Sequence, residues 1–141
     1  MSSNRATQSL ARGAFVLLVL ATFAAFFVTQ KLKHEPPVVQ NVRMERFFTP
    51  LGRIHRIERI SFHLKRADDV TVTVINARGI TVVTLARALS YPAYTRLSLR
   101  WNGRLASGAL APYGIYRVQI VLRKQARRVI PDRQFVLRPA P

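Results

Sequence analysis

One membrane-spanning helix followed by an all-β, seven-stranded sandwich is the fold class the sequence predicts, and three observations predict it. An uncharged run, Gly13 to Gln30, stands near the start of the chain. From about Val42 onward the apolar residues recur with a period of two, which places alternate side chains on one face of a strand. Gly, Pro and Asn punctuate that pattern at regular spacing, and no helical period follows the first segment.

The first element is the uncharged run. Ala14 to Val28 reads AFVLLVLATFAAFFV. A helix over 13–30 reaches roughly 27 Å at about 1.5 Å per residue, enough for the hydrocarbon core. Arg12, Lys31 and Lys33 then snorkel at its edges. A cleaved signal is the alternative, since this length also suits a signal-peptide core. Thr22-Phe23-Ala24 is a poor small-x-small site, and the apolar run continues past it through Phe26, Phe27 and Val28. Arg5 and Arg12 precede the span, whereas Lys31, Lys33, Arg43 and Arg46 follow it. That count does not favour a cytoplasmic N-terminus on the positive-inside rule. The expectation of a cytoplasmic tail over 1–12 rests instead on the common signal-anchor arrangement with a folded C-terminal domain outside. Residues 31–40 read as a linker, because Pro36-Pro37 stops any helix.

The folded domain is expected over 41–138. Val42 to Phe48 is its first strand. Arg56 to Leu64 carries Ile60, Phe62 and Leu64 on one face, and Val70 to Asn76 carries Val70, Val72 and Val74. Asn76-Ala77-Arg78-Gly79 is a hairpin turn, with Gly79 at positive φ, and Ile80 to Leu85 returns. Ser90 to Ala93 is a Pro-containing connection. Thr95 to Trp101 turns Leu97, Leu99 and Trp101 inward, and Tyr116 to Leu122 turns Tyr116, Val118, Ile120 and Leu122 inward. Lys124 to Ala126 leads into a last strand, Arg127 to Leu137, in which Pro131 must sit at a bulge or edge. Seven short strands in this length read as a sandwich of immunoglobulin/fibronectin-like size. Packing accounts for its inward residues.

Trp101-Asn102-Gly103-Arg104-Leu105-Ala106-Ser107-Gly108 and then Pro112-Tyr113-Gly114-Ile115-Tyr116 resemble the FlgD-type immunoglobulin-like domain. That family carries a strand ending in W-D-G, a loop with a second Gly, and P-x-G-x-Y opening the next strand. Val70 to Leu85 is similar to its valine-rich hairpin, and Phe48-Thr49-Pro50 stands where relatives carry F-S-P. The resemblance covers Phe47 to Leu137 and implies a structural module of bacterial surface and secreted proteins. Two positions depart from it. Leu51 to Ile57 has no carboxylate where relatives carry an acidic, Gly-rich stretch, so a calcium site there is not expected. The W-D-G acid is Asn102. In the residues themselves, Gly103, Gly108 and Gly114 open backbone conformations closed to other residues, and Asn102 can bond the turn after Trp101.

Composition bounds the chemistry. The chain of 141 residues holds 23 Lys and Arg against 6 Asp and Glu, a formal net charge of +17, yet 49% of it is hydrophobic. That is too apolar for a disordered basic tail. The absence of Cys excludes disulfides, Cys-ligated zinc, iron–sulfur clusters and thiol catalysis. His34, His55 and His63 have no metal spacing, and Asp68-Asp69 reads as a turn between strands. No serine lies in a G-x-S-x-G context, and no P-loop or dinucleotide fingerprint appears. The expectation is therefore no enzyme, no cofactor and no metal.

The charge remains. Arg96 and Arg100 share an outward face, and Arg123, Lys124, Arg127 and Arg128 cluster at the last hairpin. A solvated surface shaped by an Arg-rich codon bias accounts for them, as does attraction to an anionic partner. Besides the bilayer that receives residues 13–30, the partner classes are an envelope protein or an anionic polymer: wall polymer, lipid headgroups or nucleic acid. Nucleic acid is the least supported, for lack of a recognition signature or basic helix. The expectation is a single-pass cell-membrane protein presenting a non-catalytic module outside the cytoplasm. A role in hook assembly itself conflicts with the anchor.

Overall fold

The computed structural model describes residues 3–33 and 37–141. The part of the expected linker at 34–36 and the first two residues of the expected tail lie outside them. The chain divides into two compact units, 1–36 and 37–141.

In the first unit, helix α1 (Ser3–Lys33) is longer than the apolar run that nucleates it. Its apolar window is Leu10–Phe27, with a mean hydropathy of 2.1. Phe15, Leu17, Phe23 and Phe27 are all exposed. Length and composition suffice for a membrane span, and a signal sequence meets the same criteria.

The second unit is a β-sandwich. Its strands are β1 (Val39–Arg43), β2 (Phe47–Phe48), β3 (Glu58–Leu64), β4 (Asp68–Asn76), β5 (Thr81–Tyr91), β6 (Arg96–Trp101), β7 (Gly114–Leu122), β8 (Arg127–Val129) and β9 (Gln134–Leu137). One sheet has the order β1-β3-β6; the other has the order β2-β9-β7-β4-β5, with β8 also paired to β7. The inward faces follow the period of two. Ile60, Phe62 and Leu64 on β3 meet Val70, Val72 and Val74 on β4 and Val118, Ile120 and Leu122 on β7 in one continuous core.

Nine strands stand where seven were expected, because two expected strands are each divided. The first changes sheets: β1 pairs with β3, and β2 pairs in parallel with β9. The last breaks around Pro131, which has no N–H for the ladder. Its halves, β8 and β9, pair with successive stretches of the same edge of β7. The returning strand β5 is longer than expected and runs through Ser90 to Tyr91. Asp68 and Asp69 are not in a loop but open β4, paired with Tyr91 and Ser90.

The ladder orders the two ends of the sandwich. Val39 lies opposite Leu64, Asp68 opposite Tyr91, and Val70 opposite Leu122. The chain therefore enters the domain at the end that also carries the β3–β4 turn and the β7–β8 turn. The Asn76–Ile80 turn, Trp101 and Gly114 lie at the other end.

Candidate functional site

The residues of the Trp-Asn-Gly motif build the far end of the sandwich. Trp101 closes β6 and is buried, and its indole N–H donates to the Arg104 carbonyl at 2.8 Å. Asn102 Oδ1 accepts the Arg104 N–H at 3.1 Å and so holds the turn. Gly103 has φ +77, and a Cβ there would stand 2.5 Å from Pro50 Cγ. Position and contact both require glycine. The Gly108 carbonyl accepts Arg104 Nη1 at 2.9 Å, and the Gly108 N–H donates to Leu105, closing the loop. Tyr116 donates its hydroxyl to the Pro112 carbonyl at 2.6 Å across the start of β7, which Gly114 opens. Burial pushes the Tyr116 phenol above its ordinary value. Gly79 stands apart at the β4–β5 turn, with φ +79 and open space around it.

Four rings join the two sheets there. Trp101 lies 5.1 Å from Tyr116, 5.4 Å from Phe48 and 5.8 Å from Phe135 between ring centroids. Phe48 was marked in the sequence only as the start of Phe48-Thr49-Pro50, and Phe135 was not singled out. The signal for Phe135 was its parity with Leu137 in a short strand. Beside the cluster, a cleft of about 300 Å³ opens between the 50–57 and 102–110 loops. Leu51, Ile57 and Leu110 line it, with Arg56 and Arg104. Both guanidiniums hold their own loops, Arg56 through the Pro50 carbonyl and Arg104 through that of Gly108.

The basic hairpin stands at the opposite end, where the chain enters. Arg123 and Lys124 lie in the β7–β8 turn, and Arg127 and Arg128 open β8 opposite Leu122 and Val121. All four are exposed. Successive strand residues face opposite ways, so Arg127 and Arg128 flank the hairpin and do not share one flat face. The cluster surrounds the tip.

The buried Asp68 carboxylate shapes that tip. Its Oδ1 accepts the backbone N–H of Lys124 at 2.8 Å and of Asp69 at 2.7 Å. Its Oδ2 accepts the Gln125 N–H at 3.1 Å and Gln125 Nε2 at 2.9 Å. Burial alone would raise its pKa. The four hydrogen bonds outweigh burial and hold the carboxyl below its usual range. Next to it, Asp69 Oδ1 lies 3.6 Å from Lys124 Nζ. The order of the basic hairpin is thus set by an acid 56 residues upstream of Lys124 in sequence. Nothing in local spacing announces that pairing.

A second buried acid was also missed. Glu58 shares the inward face of β3 with Ile60, Phe62 and Leu64, and extending the alternation back two residues would have found it. Its Oε1 accepts the Glu45 N–H at 2.8 Å, while Oε2 is buried without a partner. Burial pushes its pKa to about 7, with the Glu45 charge adding to the rise and the Glu45 N–H opposing it.

Among the described residues no three His, Asp or Glu converge on a point that could hold a metal ion.

No family model matches the chain, and no curated protein does. Among solved structures, a crystal structure of FlgD from Pseudomonas aeruginosa aligns with a TM-score of 0.44 and 16% identity, over 72% of this chain and 78% of that one. A likeness at that score carries no argument about function. The β-sandwich stands on the two sheets described above.

Proposed function

We propose that this chain is a non-catalytic, membrane-anchored protein of the cell envelope that presents an immunoglobulin-like module outside the cytoplasm. The observation that carries this reading is the 10–27 window of α1, whose described side chains are almost all exposed apolar groups, in a chain whose second unit closes a core of its own. So much exposed apolar surface on one helix is costly in water and stable in a bilayer. The motif residues favour a scaffold role, because Trp101, Asn102 and Tyr116 commit side-chain polar groups to neighbouring backbone. Alkaline carbonate extraction of membranes tests the anchor. The full-length chain should remain in the pellet. Its release, or a mature N-terminus near Ala25, would replace the anchor with a cleaved signal.

A second reading, a basic module that binds an anionic polymer, is favoured by one specific observation. The hairpin carrying Arg123, Lys124, Arg127 and Arg128 is fixed by Asp68 and presented at a tip. A merely solvated charge cluster needs no such support.

A further inference from the structure

We infer that the end of the sandwich at which the chain enters is a docking surface for the anionic phospholipid headgroups of the bilayer. The inference rests on the anchored reading for the source of those lipids. Three backbone hydrogen bonds tie the surface together. The Lys65 N–H donates to the Val38 carbonyl at 2.9 Å, Tyr94 to that of Leu64 at 2.8 Å, and Arg123 to that of Asp69 at 3.1 Å. The first turn of chain in the domain, the β3–β4 turn, the β5–β6 connection and the basic hairpin therefore share one end.

The chemistry of that end is one-signed. Lys65 and Arg66 join the four hairpin cations there. Of the nearby acids, Asp68 is buried and committed to the N–H groups of the hairpin, and Asp69 accepts the Ser90 hydroxyl at 2.9 Å and faces Lys124. Lys and Arg near an anionic membrane surface are attracted to it one by one, and six cations on one end add their effects without demanding a fixed pocket. Tyr94, 70% exposed, supplies the amphipathic ring that suits a headgroup layer. A headgroup layer also tolerates the arrangement of Arg127 and Arg128 on opposite sides of β8, which a single flat ligand would not. Val38, at the edge of this surface, lies five residues after the last residue of α1, a contour of at most about 18 Å. A bilayer that received the helix would be within reach of this end.

The chain has no cysteine, so single-cysteine variants can be labelled with an environment-sensitive dye. Ala126→Cys places the dye on the hairpin tip, and Ala77→Cys places it on the β4–β5 turn at the far end. Both full-length variants are reconstituted into vesicles of phosphatidylcholine, or of an equal mixture with phosphatidylglycerol, doped with headgroup-quencher lipid. Quenching at position 126 should rise with phosphatidylglycerol and that at position 77 should not. The rise should be lost at about 0.5 M salt, where screening shortens to a few ångströms. It should also be lost when Arg123, Lys124, Arg127 and Arg128 are changed to Gln. It should survive Arg123→Lys, Arg127→Lys and Arg128→Lys together, because headgroups read charge. Trp101 fluorescence checks that each variant keeps its core. Equal quenching at 126 in both lipids would overturn the inference, as would an equal rise at 77 or loss in the lysine variant. Alkaline extraction of the same vesicles reads the helix separately. An inserted chain without lipid-dependent quenching leaves the anchor standing and removes the headgroup surface. An extractable chain with such quenching does the reverse.

Discussion

Glu58 sits at full burial on β3 with one oxygen unsatisfied, and its consequence for stability follows from proton linkage. Its folded pKa, about 7, is raised from an ordinary value of 4.5. The folded state therefore binds the proton more tightly than the unfolded state. The associated stability is fully present below pH 4.5 and is lost as pH rises through about 7. On the order of 3 kcal/mol is at stake by that linkage. Asp68 works in the opposite direction. Its pKa is depressed, so its contribution is present above its ordinary value of 3.8 and is lost as pH falls through the folded value. Between them, these two groups place the stability maximum in mildly acidic solution. Glu58→Gln, which keeps an acceptor for the Glu45 N–H, should match wild type near pH 5 and exceed it near pH 8. Denaturant melts at both pH values check this, and an unchanged difference across them would place the charge of Glu58 in a solvated site. Trp101 tests the core at the same scale. It touches Phe48, Tyr116 and Phe135 and ties its N–H to Arg104. Trp101→Ala should cost about 3–5 kcal/mol, the usual toll of an aromatic truncated in a packed core. A loss below about 1 kcal/mol would place the ring outside the core.

At the scale of elements, two turns need glycine for different reasons. At Gly79 the cost of a side chain is conformational only, because φ is +79 and nothing stands within 4 Å. Gly79→Ala should cost about 1–2 kcal/mol, the left-handed penalty. Gly103→Ala incurs that penalty and also drives a methyl group into Pro50 Cγ at 2.5 Å, so it should cost more. Thermal melts of the two variants side by side give the order, and equal losses would mean that the Pro50 loop yields freely. The alternation that predicted β3, β4 and β7 was legible because those strands lie inside their sheets with one face on the core, and that of β6, an edge strand, because Leu97 and Trp101 still turn onto the core. β1, β2, β8 and β9 were not resolved as separate strands, because a change of sheet at Met44–Arg46 leaves no mark on a period of two. Pro131 did mark its break. The Asn76-to-Gly79 turn was readable because its bonds are local: Asn76 Oδ1 accepts the Arg78 and Ile80 N–H groups at 2.9 and 3.0 Å. The Asp68 support of the β7–β8 turn was not, since its partners meet only after β4 and β7 have paired. Asp68→Ala should therefore loosen the tip specifically. Hydrogen exchange at Lys124 and Gln125 should speed up while the β3 core amides stay protected.

For the whole molecule, charge is the dominant imbalance. Residues 37–141 hold 19 Lys and Arg, and two of their five carboxylates, Glu58 and Asp68, are withdrawn into the interior. Glu45, Asp69 and Asp132 are all that face the cations at the surface. The ion pair between Lys124 and Asp69, at 3.6 Å with the lysine more than half exposed, is worth at most about 1 kcal/mol and is itself weakened by salt. Self-repulsion among the cations acts over the whole surface and is also screened by salt. The two effects oppose each other, and with so few acids the repulsion is the larger. The melting temperature should therefore rise as sodium chloride increases from about 10 mM to about 150 mM, as the screening length falls from about 30 to about 8 Å. Replacing Arg123, Lys124, Arg127 and Arg128 by Gln should raise the low-salt melting temperature and flatten the salt dependence, because these four share one short hairpin. A melting temperature that fell with salt would mean instead that specific ion pairs outweigh repulsion. The hairpin would then belong to the forces that hold the fold.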